Sequence, residues 1–388
     1  MENPKIRFKG YTKDWEQRKL GELGTVQTCK RIFKDQTSEK GDIPFFKNGT
    51  IGLEPDSYIS REMYEEFRRL YPYPEVGDTL ISVVGSIGRT AEYTGKDEYF
   101  QDSNVVWLKT DGSINKKFLK ISYQVIKWLI EGSTVKHLYN DNILRSEIIM
   151  PVSQIEQAKI AEFFEELDHL ITLHQRKCEQ TKKLKKYMLQ KMFPQNGAKV
   201  PEIRFDGFTY DWEQRKVGEL LEERNEQAPM SEDYPLMAFI ANQGVTQKGE
   251  RYDRSALVND ETGKKYKRTE FGDFIYSSNN LETGSIGLNK YGNACISPVY
   301  SIFKSTGKAE LDFLGRRFLR KDFINEMVKW RQGVVYGQWK IHETDFMKIE
   351  VRIPSVDEQK KIGLYFDSLD NLITLHQRQH KLHLNMLL

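Results

Sequence analysis

The chain has 388 residues, of which 38% are hydrophobic and 30% are charged, with a formal net charge of +3. This length favours two domains of ordinary size, and the composition excludes a wholly disordered chain. The nearly neutral charge does not exclude a polyanionic partner, because basic residues can be segregated on one face.

The cysteines and the chain start indicate the cell compartment. Cys29, Cys178 and Cys295 are widely separated and form no C-x-x-C pair. This spacing argues against a disulfide framework or a zinc finger and suits a reducing cytoplasm. The charged opening MENPKIRFKG lacks the apolar stretch of a signal peptide, and no apolar run is long enough to predict a membrane-spanning helix.

The first recognisable element is an opening block that occurs twice. Residues 4–23 read PKIRFKGYTKDWEQRKLGEL, and residues 201–220 read PEIRFDGFTYDWEQRKVGEL, at an offset of 197. The stretch LITLHQR also occurs twice, at residues 170–176 and 372–378, at an offset of 202. This spacing predicts a tandem duplication in which each half has an opening block, a variable region and a helix block.

The two variable regions hardly resemble each other. One short echo survives, because residues 77–90 (GDTLISVVGSIGRT) and 272–289 (GDFIYSSNNLETGSIGLN) both lead from Gly-Asp through an apolar run to a Gly-Ser-Ile-Gly turn. The turn is interpreted first as a tight β-turn and alternatively as a loop that lets backbone approach a ligand. A shared frame with divergent surfaces is typical of two binding modules of different specificity. Simple drift explains it less well, since drift would not spare the repeated blocks.

Each helix block begins with the S-x-x-E capping pattern just after a proline, at Ser153 and Ser355. The first helix is predicted to run to Phe193, a rod of about 58 Å. Apolar residues three and four apart predict a seam on each helix, so we expect the helices to pair as an antiparallel coiled coil. The seam residues are Ile160, Phe164, Leu167, Ile171 and His174 in the first helix, and Ile362, Phe366, Leu369, Ile373 and His376 in the second.

Two polar features of these helices allow alternative interpretations. His174 and His376 occupy matching seam positions, where a polar residue is expected to fix the register. The competing interpretation is a metal site, because His376, His380 and His383 are spaced i, i+4, i+7, but the first helix has no matching histidines. The tract 176–191 has seven Lys or Arg against one Glu; it is interpreted as a solvated face, with phosphate contact as the alternative.

Catalytic motifs are missing from the sequence. There is no P-loop, no dinucleotide-binding G-x-G-x-x-G unit, no H-E-x-x-H, no G-x-S-x-G and no N-P-P-[FYW] tetrapeptide. The chain is therefore predicted to be a binding protein and not an enzyme, and no metal site is expected.

The repeated motifs together resemble the specificity subunit of type I restriction-modification systems. The resemblance rests on the DWEQRK-x-GEL openings, on the Gly-Asp run with its GSIG turn, and on the long-helix starts EQAKIAEFFEELDHLI (156–171) and EQKKIGLYFDSLDNLI (358–373). It covers essentially the whole chain. One departure is that the first helix continues to Phe193, whereas the second, in the same register, reaches only Leu388.

The resemblance implies an α/β (α+β) fold with a pseudo-twofold internal repeat. Two similar globular target-recognition domains are joined by two long helices paired as an antiparallel coiled coil. The implied boundaries are 1–151 for the first recognition domain, 152–194 for the first long helix, 195–353 for the second recognition domain and 354–388 for the second helix.

The resemblance also implies the function and the partners. Each domain is expected to read one half of a bipartite site in double-stranded DNA, and the helix pair is expected to set the spacing. Two methyltransferase (modification) subunits, which methylate adenine, and restriction/translocase subunits are the implied protein partners. S-adenosylmethionine, ATP and Mg²⁺ are expected on those partners, and no cofactor is expected on this chain. The complex is expected to act in the cytoplasm, with no membrane partner.

DNA-contacting residues are predicted in short polar stretches of each variable region, because Asn, Gln and Arg can make bidentate base contacts and Lys contacts phosphates. In the first module the candidates are Lys47, Asn48, Ser86, Arg89, Lys136 and His137. In the second they are Asn242, Gln243, Asn279, Asn280, Ser285, Tyr336, Gln338 and Lys340. An ordinary loop or turn role is the competing interpretation for each of them.

Two other functions compete with DNA recognition. The paired helices could belong to a cytoplasmic scaffold whose modules bind peptides or sugars. An unrecognised nuclease is the third hypothesis, and the lack of a clustered carboxylate site in the sequence argues against it.

Overall fold

The computed structural model of the chain describes residues 4–85, 87–132, 136–195, 197–247, 264–334 and 338–387. The chain separates into two compact units, one formed by Met1–Thr172 with Leu382–Leu388 and the other by Leu173–Lys381. The division falls inside the first long helix. The finer domain boundaries expected from the sequence remain a prediction.

The first unit is a mixed α/β structure. Its strands are β1 (Glu16–Lys19), β2 (Gly24–Thr28), β3 (Ile43–Phe46), β4 (Tyr58–Ile59), β5 (Thr79–Ser82), β6 (Thr90–Glu92), β7 (Tyr99–Phe100), β8 (Val105–Thr110) and β9 (Glu147–Met150). Its helices are α1 (Arg61–Leu70), α2 (Lys116–Ser122), α3 (Asn140–Arg145) and the first half of α4 (Gln154–Lys191). Short 3-10 turns occupy Leu20–Glu22 and Lys34–Gln36.

The second unit has a similar content. Its strands are β10 (Glu213–Lys216), β11 (Leu221–Glu223), β12 (Gln227–Ala228), β13 (Ala238–Ile240), β14 (Gly244–Thr246), β15 (Tyr266–Thr269), β16 (Phe274–Tyr276), β17 (Ile286–Leu288), β18 (Ala294–Ile296), β19 (Ser301–Ser305), β20 (Gln332–Val334), β21 (Gln338–Lys340) and β22 (Glu350–Ile353). Its helices are α5 (Val217–Leu220), α6 (Leu311–Phe318), α7 (Lys321–Val328), α8 (Glu343–Phe346) and most of α9 (Val356–Leu387).

The two units are built around the same four-stranded antiparallel sheet. Its strand order is β2-β8-β5-β6 in the first unit and β11-β19-β16-β17 in the second. The central strands are buried on both faces, so successive residues enter different cores. Leu80 and Ile81 of β5 belong to two separate core clusters, as do Phe274 and Ile275 of β16. The duplication seen in the sequence is therefore a duplication of the fold.

Within each unit, the opening block pairs with the strand that leads into the long helix. In the first unit β1 is antiparallel to β9, and in the second β10 is antiparallel to β22. A bidentate ion pair then joins each opening block to the helix. Arg7 contacts Glu156 at 2.6 and 2.9 Å, and Arg204 contacts Glu358 at 2.7 Å through both nitrogens. Both glutamates are buried, so losing either partner would leave an uncompensated charge.

The glutamine that follows each of these glutamates also has a fixed role. Its side-chain oxygen accepts a hydrogen bond from the backbone N–H of Asn115 in the first unit or Glu310 in the second, at 2.8 Å in both. Its amide nitrogen donates to the carbonyl of the nearby proline, again at 2.8 Å. These shared contacts explain why the opening and helix blocks match while the regions between them differ.

Only one of the two hydrogen bonds of the capping box forms at each helix start. Ser153 and Ser355 accept from the N–H groups of Glu156 and Glu358 at 3.4 Å, as an N-cap does. The glutamate carboxylates, expected to bond back to the cap, pair with the arginines of the opening blocks. A long-range partner thus replaces the local one that the sequence motif suggests.

Candidate nucleic-acid interface

In the first module, two of the stretches selected from the sequence lie side by side. The Asn48 side-chain amide donates to the carbonyl of Val84 at 3.0 Å, and Arg89 donates to the carbonyl of Gly49, also at 3.0 Å. The FFKNGT turn is therefore tied to the hairpin that carries the GSIG sequence. Ser86, also predicted here, lies outside the described residues.

The third stretch of the first module joins the same place. Leu138 donates its N–H to the Val83 carbonyl at 2.9 Å, and His137 forms a backbone bridge with Val84. The His137 ring stacks on Tyr139, with centroids 4.4 Å apart, and the neighbouring Lys136 is exposed. We call residues 47–49, 84–85, 87–89 and 136–139 the first loop surface.

Lys47, which belongs to this surface, forms an ion pair with a neighbouring carboxylate. Its ammonium lies 3.0 Å from the Asp56 carboxylate, and this hydrogen bond holds the pKa of Asp56 below its usual range. A phosphate contact by Lys47 would compete with that ion pair.

The second module brings its predicted stretches together in the same way. Asn242 has a left-handed backbone with φ of 62° and donates its N–H to the Gly284 carbonyl at 3.0 Å. Gly284 has φ of +96°, and a Cβ built there would stand 2.3 Å from the Asn242 side-chain oxygen. Only glycine permits this close approach between the two loops.

The remaining candidates of the second module surround this contact. Asn279 accepts a hydrogen bond from the Trp339 N–H at 2.6 Å, and the Asn280 carbonyl accepts from the N–H of Ser285 at 2.9 Å. Gln243, on the turn between β13 and β14, is exposed, and Lys340 is exposed with its ammonium 3.6 Å from Glu343. We call residues 242–243, 279–285 and 338–341 the second loop surface.

The predicted residues of the second loop surface differ in their exposure to solvent. Ser285 is buried, which favours a structural role, whereas Asn280 is exposed. Tyr336 lies outside the described residues, and Gln338 is described only as the first residue of β21. The DNA contacts expected of these residues stay predictions.

Two aromatic residues on these surfaces were missed from the sequence. Tyr139 and Trp339 are about half exposed and stand next to His137 and Asn279, respectively. Exposed aromatic rings can stack on unpaired bases or on sugar faces. The signal was present, since both lie in stretches already selected for their polar residues.

The chemistry available at these surfaces is hydrogen bonding, positive charge and aromatic contact. Among the described residues, no three His, Cys, Asp or Glu side chains are grouped to hold a metal ion, and this includes the described His376, His380 and His383. Burial raises the pKa of Cys29 to about 12, so its thiolate is not available as a nucleophile at neutral pH.

The predicted helix pair is present inside the second unit, where the second half of α4 runs antiparallel to α9. The Nδ1 atoms of His174 and His376 are 3.1 Å apart, and the Cys178 sulfur lies 4.0 Å from the Ile373 carbonyl oxygen. Lys185 forms an ion pair with Asp370 further along. As the contacts advance along α4 from His174 to Lys185, their partners on α9 move back from His376 to Asp370, so the two helices run antiparallel.

The seam residues of α9 contact more than the other helix. Ile362, Phe366 and Leu369 belong to the core cluster of the second module, which also contains Met192 and Phe193 from the end of α4. In the first unit, the seam residues of α4 behave differently. Leu167 is buried, whereas Ile160, Phe164 and Ile171 are only partly covered, and Ile160 packs against the core of the first module.

Comparison with known proteins identifies this architecture. The family model of the type I restriction modification DNA specificity domain matches residues 12–183 and again residues 210–385. The chain belongs to this family. Its two matches with the DNA specificity domain coincide with the two copies of the fold.

Individual relatives carry the same name. The chain is 46% identical over 157 residues to a putative type I restriction enzyme specificity subunit from Haemophilus influenzae, covering 39% of this chain and 41% of that protein. This match thus spans less than half of that relative's length. The putative type I restriction enzyme MjaX specificity subunit from Methanocaldococcus jannaschii is 23% identical and is covered over 89% of its length, with 94% of this chain.

A solved structure supports the fold over the full length. The type I restriction-modification S subunit from M. genitalium superposes with a TM-score of 0.58 at 15% identity, covering 100% of this chain and 97% of that one. At this identity the likeness concerns the fold alone. No helix in the described part of the chain combines the length and apolar character needed to cross a membrane.

Proposed function

We propose that each module of this specificity subunit reads one half of a bipartite DNA target through its loop surface. The observation that carries the proposal is the contrast between the two surfaces. Each surface joins three separate stretches of its unit and includes the loop between equivalent strands of the four-stranded sheet, β5–β6 or β16–β17. Yet one presents Arg89, His137 and Tyr139 and the other presents asparagines, Trp339 and Lys340. Two modules of the same fold need different side chains on their loop surfaces to recognise different DNA sequences.

The residue types on each surface suit base edges and phosphates. Arginine pairs with guanine through two acceptors, and asparagine pairs with adenine through an acceptor and a donor. The exposed Lys136 and Lys340 would serve phosphates, which position the protein without reading sequence. The three-asparagine composition of the second surface favours adenine in its half-site.

We further propose that the helix pair sets the spacing of the half-sites and binds the methyltransferase subunits. The 38 residues of α4 correspond to a rod of about 57 Å, longer than the ~34 Å that separates successive turns of B-DNA. Both long helices expose large apolar side chains that a partner could cover, among them Ile155, Leu184, Leu364, Leu372 and Leu375. Two modification subunits and the restriction subunits, with their S-adenosylmethionine, ATP and Mg²⁺, would act in the cytoplasm on this frame.

An exchange of modules tests the proposal. Residues 24–150 are replaced by residues 221–353, which begin and end at equivalent points of the two repeats. The chimaera is expressed with methyltransferase subunits, and methylated adenines are mapped across the host genome. We expect the first half-site to change to the sequence read by the second module, while the second half-site stays the same.

The reverse exchange is the matched control and should change only the second half-site. If either exchange altered both half-sites, or neither, the assignment of one reader to each module would be overturned. The assembled complex should also bind duplex DNA with an affinity that falls steeply as salt rises. Salt-independent binding, or none, would favour the scaffold hypothesis instead.

A further inference from the structure

An arginine beside the second loop surface has two N–H donors without a partner. Arg331 directly precedes β20, and its Nη1 atom donates to the carboxylate of Glu282, which belongs to that surface, at 2.9 Å. The Arg331 side chain is only 11% exposed. Its Nε and Nη2 atoms are buried, and neither forms a hydrogen bond with any described residue.

The same edge of the guanidinium is filled at two other arginines of this chain. Arg7 and Arg204 each use Nε and Nη2 to hold both oxygens of a buried glutamate, at 2.6 and 2.9 Å in the first case and 2.7 Å in the second. This edge presents two parallel N–H groups, which suit a ligand with two acceptors side by side. In the part of the chain that the structure describes, only Arg331 among the arginines has two buried nitrogens that lack a hydrogen-bond partner.

The unpaired donors of Arg331 lower the stability of the second unit. A buried N–H group loses its hydrogen bonds to water, and without an acceptor it gains none in return. The ion pair with Glu282 offsets little of this cost, because the Glu282 side chain is 59% exposed and such pairs are weak. Packing of the free chain therefore does not explain why a guanidinium is present at this position.

The fold does not require an arginine here either. At the offset of 202, Leu129 of the first unit corresponds to Arg331. The backbone confirms this correspondence, since residues 131 and 137 pair in the first unit as residues 333 and 339 do in the second. An aliphatic side chain thus occupies the equivalent position of the same frame, and the guanidinium is specific to the second module.

DNA offers pairs of acceptors that match this edge. The N7 and O6 atoms of guanine form one such pair in the major groove, and two oxygens of one phosphate form another. Both nitrogens are covered in the free chain, so DNA reaches them only after the contact between Arg331 and Glu282 opens. Phosphates repel the Glu282 carboxylate and attract the guanidinium, and both effects favour this exchange.

We propose that Arg331 is a DNA-contacting residue of the second module, whose Nε–Nη2 edge binds two acceptor atoms of the second half-site. This inference rests on the proposed function, which makes DNA the ligand of the loop surface. Glu282 holds the guanidinium until DNA replaces it.

Arg331→Met tests the proposal in the full chain assembled with its methyltransferase subunits. The probe is a duplex with the bipartite target mapped by methylation, and binding is followed by fluorescence anisotropy at fixed salt. We expect R331M to bind at least about tenfold more weakly. Its unfolding temperature should stay the same or rise, because the donors that it removes had no acceptor. Leu129→Met, at the equivalent position of the first module, is the matched control and should change neither quantity.

Arg204→Met shows what the same substitution does to a structural arginine. It leaves the buried Glu358 without its partner, so the unfolding temperature should fall. A similar fall for R331M would make Arg331 a structural residue and overturn the proposal.

Arg331→Lys distinguishes the two sources of acceptors, because lysine keeps the charge but loses the two parallel donors. If the acceptors belong to a guanine, R331K should relax methylation at one base pair of the second half-site and leave the first half-site unchanged. If they belong to a phosphate, R331K should keep the target sequence. R331M should then reduce the slope of log affinity against log salt by about one.

The outcomes separate this inference from the function on which it rests. Failure of the unaltered complex to bind the duplex would overturn the proposed function and this inference with it. Binding by R331M as tight as that of the unaltered complex would overturn the role of Arg331 alone.

Discussion

The repeat supplies two equivalent phenylalanines whose substitution should have unequal effects. Phe366 has no exposed surface and contacts Phe193, Tyr365 and the Arg316 guanidinium, with the last 5.4 Å from its ring. Phe164, at the same position of the first repeat, is only partly covered. Both phenylalanines stand three residues before the repeated Leu-Asp pair, so the difference in coverage is what the experiment measures.

Truncating a fully buried phenylalanine to alanine costs about 3–5 kcal/mol, as the sum of lost burial and a residual cavity. We therefore expect Phe366→Ala to lower the unfolding temperature of the second unit by about 6–20 °C, at roughly 2–4 °C per kcal/mol for a unit of this size. Phe164→Ala removes a ring that already contacts water, so its cost should be roughly half as large.

Differential scanning calorimetry of the full chain measures both effects, and hydrogen exchange read by mass spectrometry assigns each transition to its unit. Phe163→Ala, a ring 38% exposed on the helix surface, serves as the control and should shift the transition least. Equal shifts for F366A and F164A would refute the reasoning, because they would mean that the end of α4 adds no burial at Phe366.

Three further predictions concern the helix pair and the second loop surface. Burial opposes ionisation of Asp370, but the hydrogen bond from Lys185 and nearby positive charge hold its pKa below the usual range. Asp370→Asn should therefore cost up to about 1 kcal/mol at pH 7, and denaturation curves should show this difference shrinking as the pH falls from about 4 through the lowered pKa of Asp370. Gly284→Ala places a methyl group 2.3 Å from an amide oxygen and should abolish methylation at the second half-site only. Changing His174 and His376 together to leucine should raise the unfolding temperature, since polar seam residues cost stability.

Each of these has a control that isolates the stated cause. Gly307 has a φ of +80° with open space around it, so Gly307→Ala adds strain without a collision and should leave both half-sites methylated. Leucine at only one of the two histidine positions should destabilise the pair, because the other imidazole then faces an apolar side chain. A D370N difference that stayed constant as the pH fell from 7 through the acid range would contradict the ionic explanation.

Features of the fold that follow from periodic or repeated sequence, such as the register of the helix pair, could be predicted. The offset of 202 placed His174 opposite His376, and the structure brings them to 3.1 Å. The antiparallel order of the helices was predicted from the globular module that lies between them in the sequence. The ion pair between Arg7 and Glu156 could not be predicted in this way, because the S-x-x-E motif has a local partner in sequence and a distant one in the fold. A contact between residues 149 positions apart depends on topology that no short pattern encodes.

The loop surfaces show the same limit in another form. Polar residue types identified the candidate stretches, and these converge within each unit. Those of Asn48 and His137 both meet Val84 in the first unit, and that of Asn279 meets Trp339 in the second. Which side chain in each stretch faces outward depends on the backbone direction, which is why Tyr139 and Trp339 were missed. Polar character selected their neighbours, some of which are occupied in holding the loops together.

The division of labour inside each repeat explains how one frame can carry two specificities. The contacts that close a unit, from the opening-block arginine and from the Glu-Gln pair of the helix, involve residues outside the variable region or backbone atoms within it. Backbone hydrogen bonds do not depend on side-chain identity, so the loops can change their residues while the frame keeps its geometry. The exception is a position such as Gly284, where two loops approach too closely for a side chain. Specificity should therefore be exchangeable by whole modules more readily than by single loop residues, because a loop substitution alters both the recognition surface and the contacts that shape it.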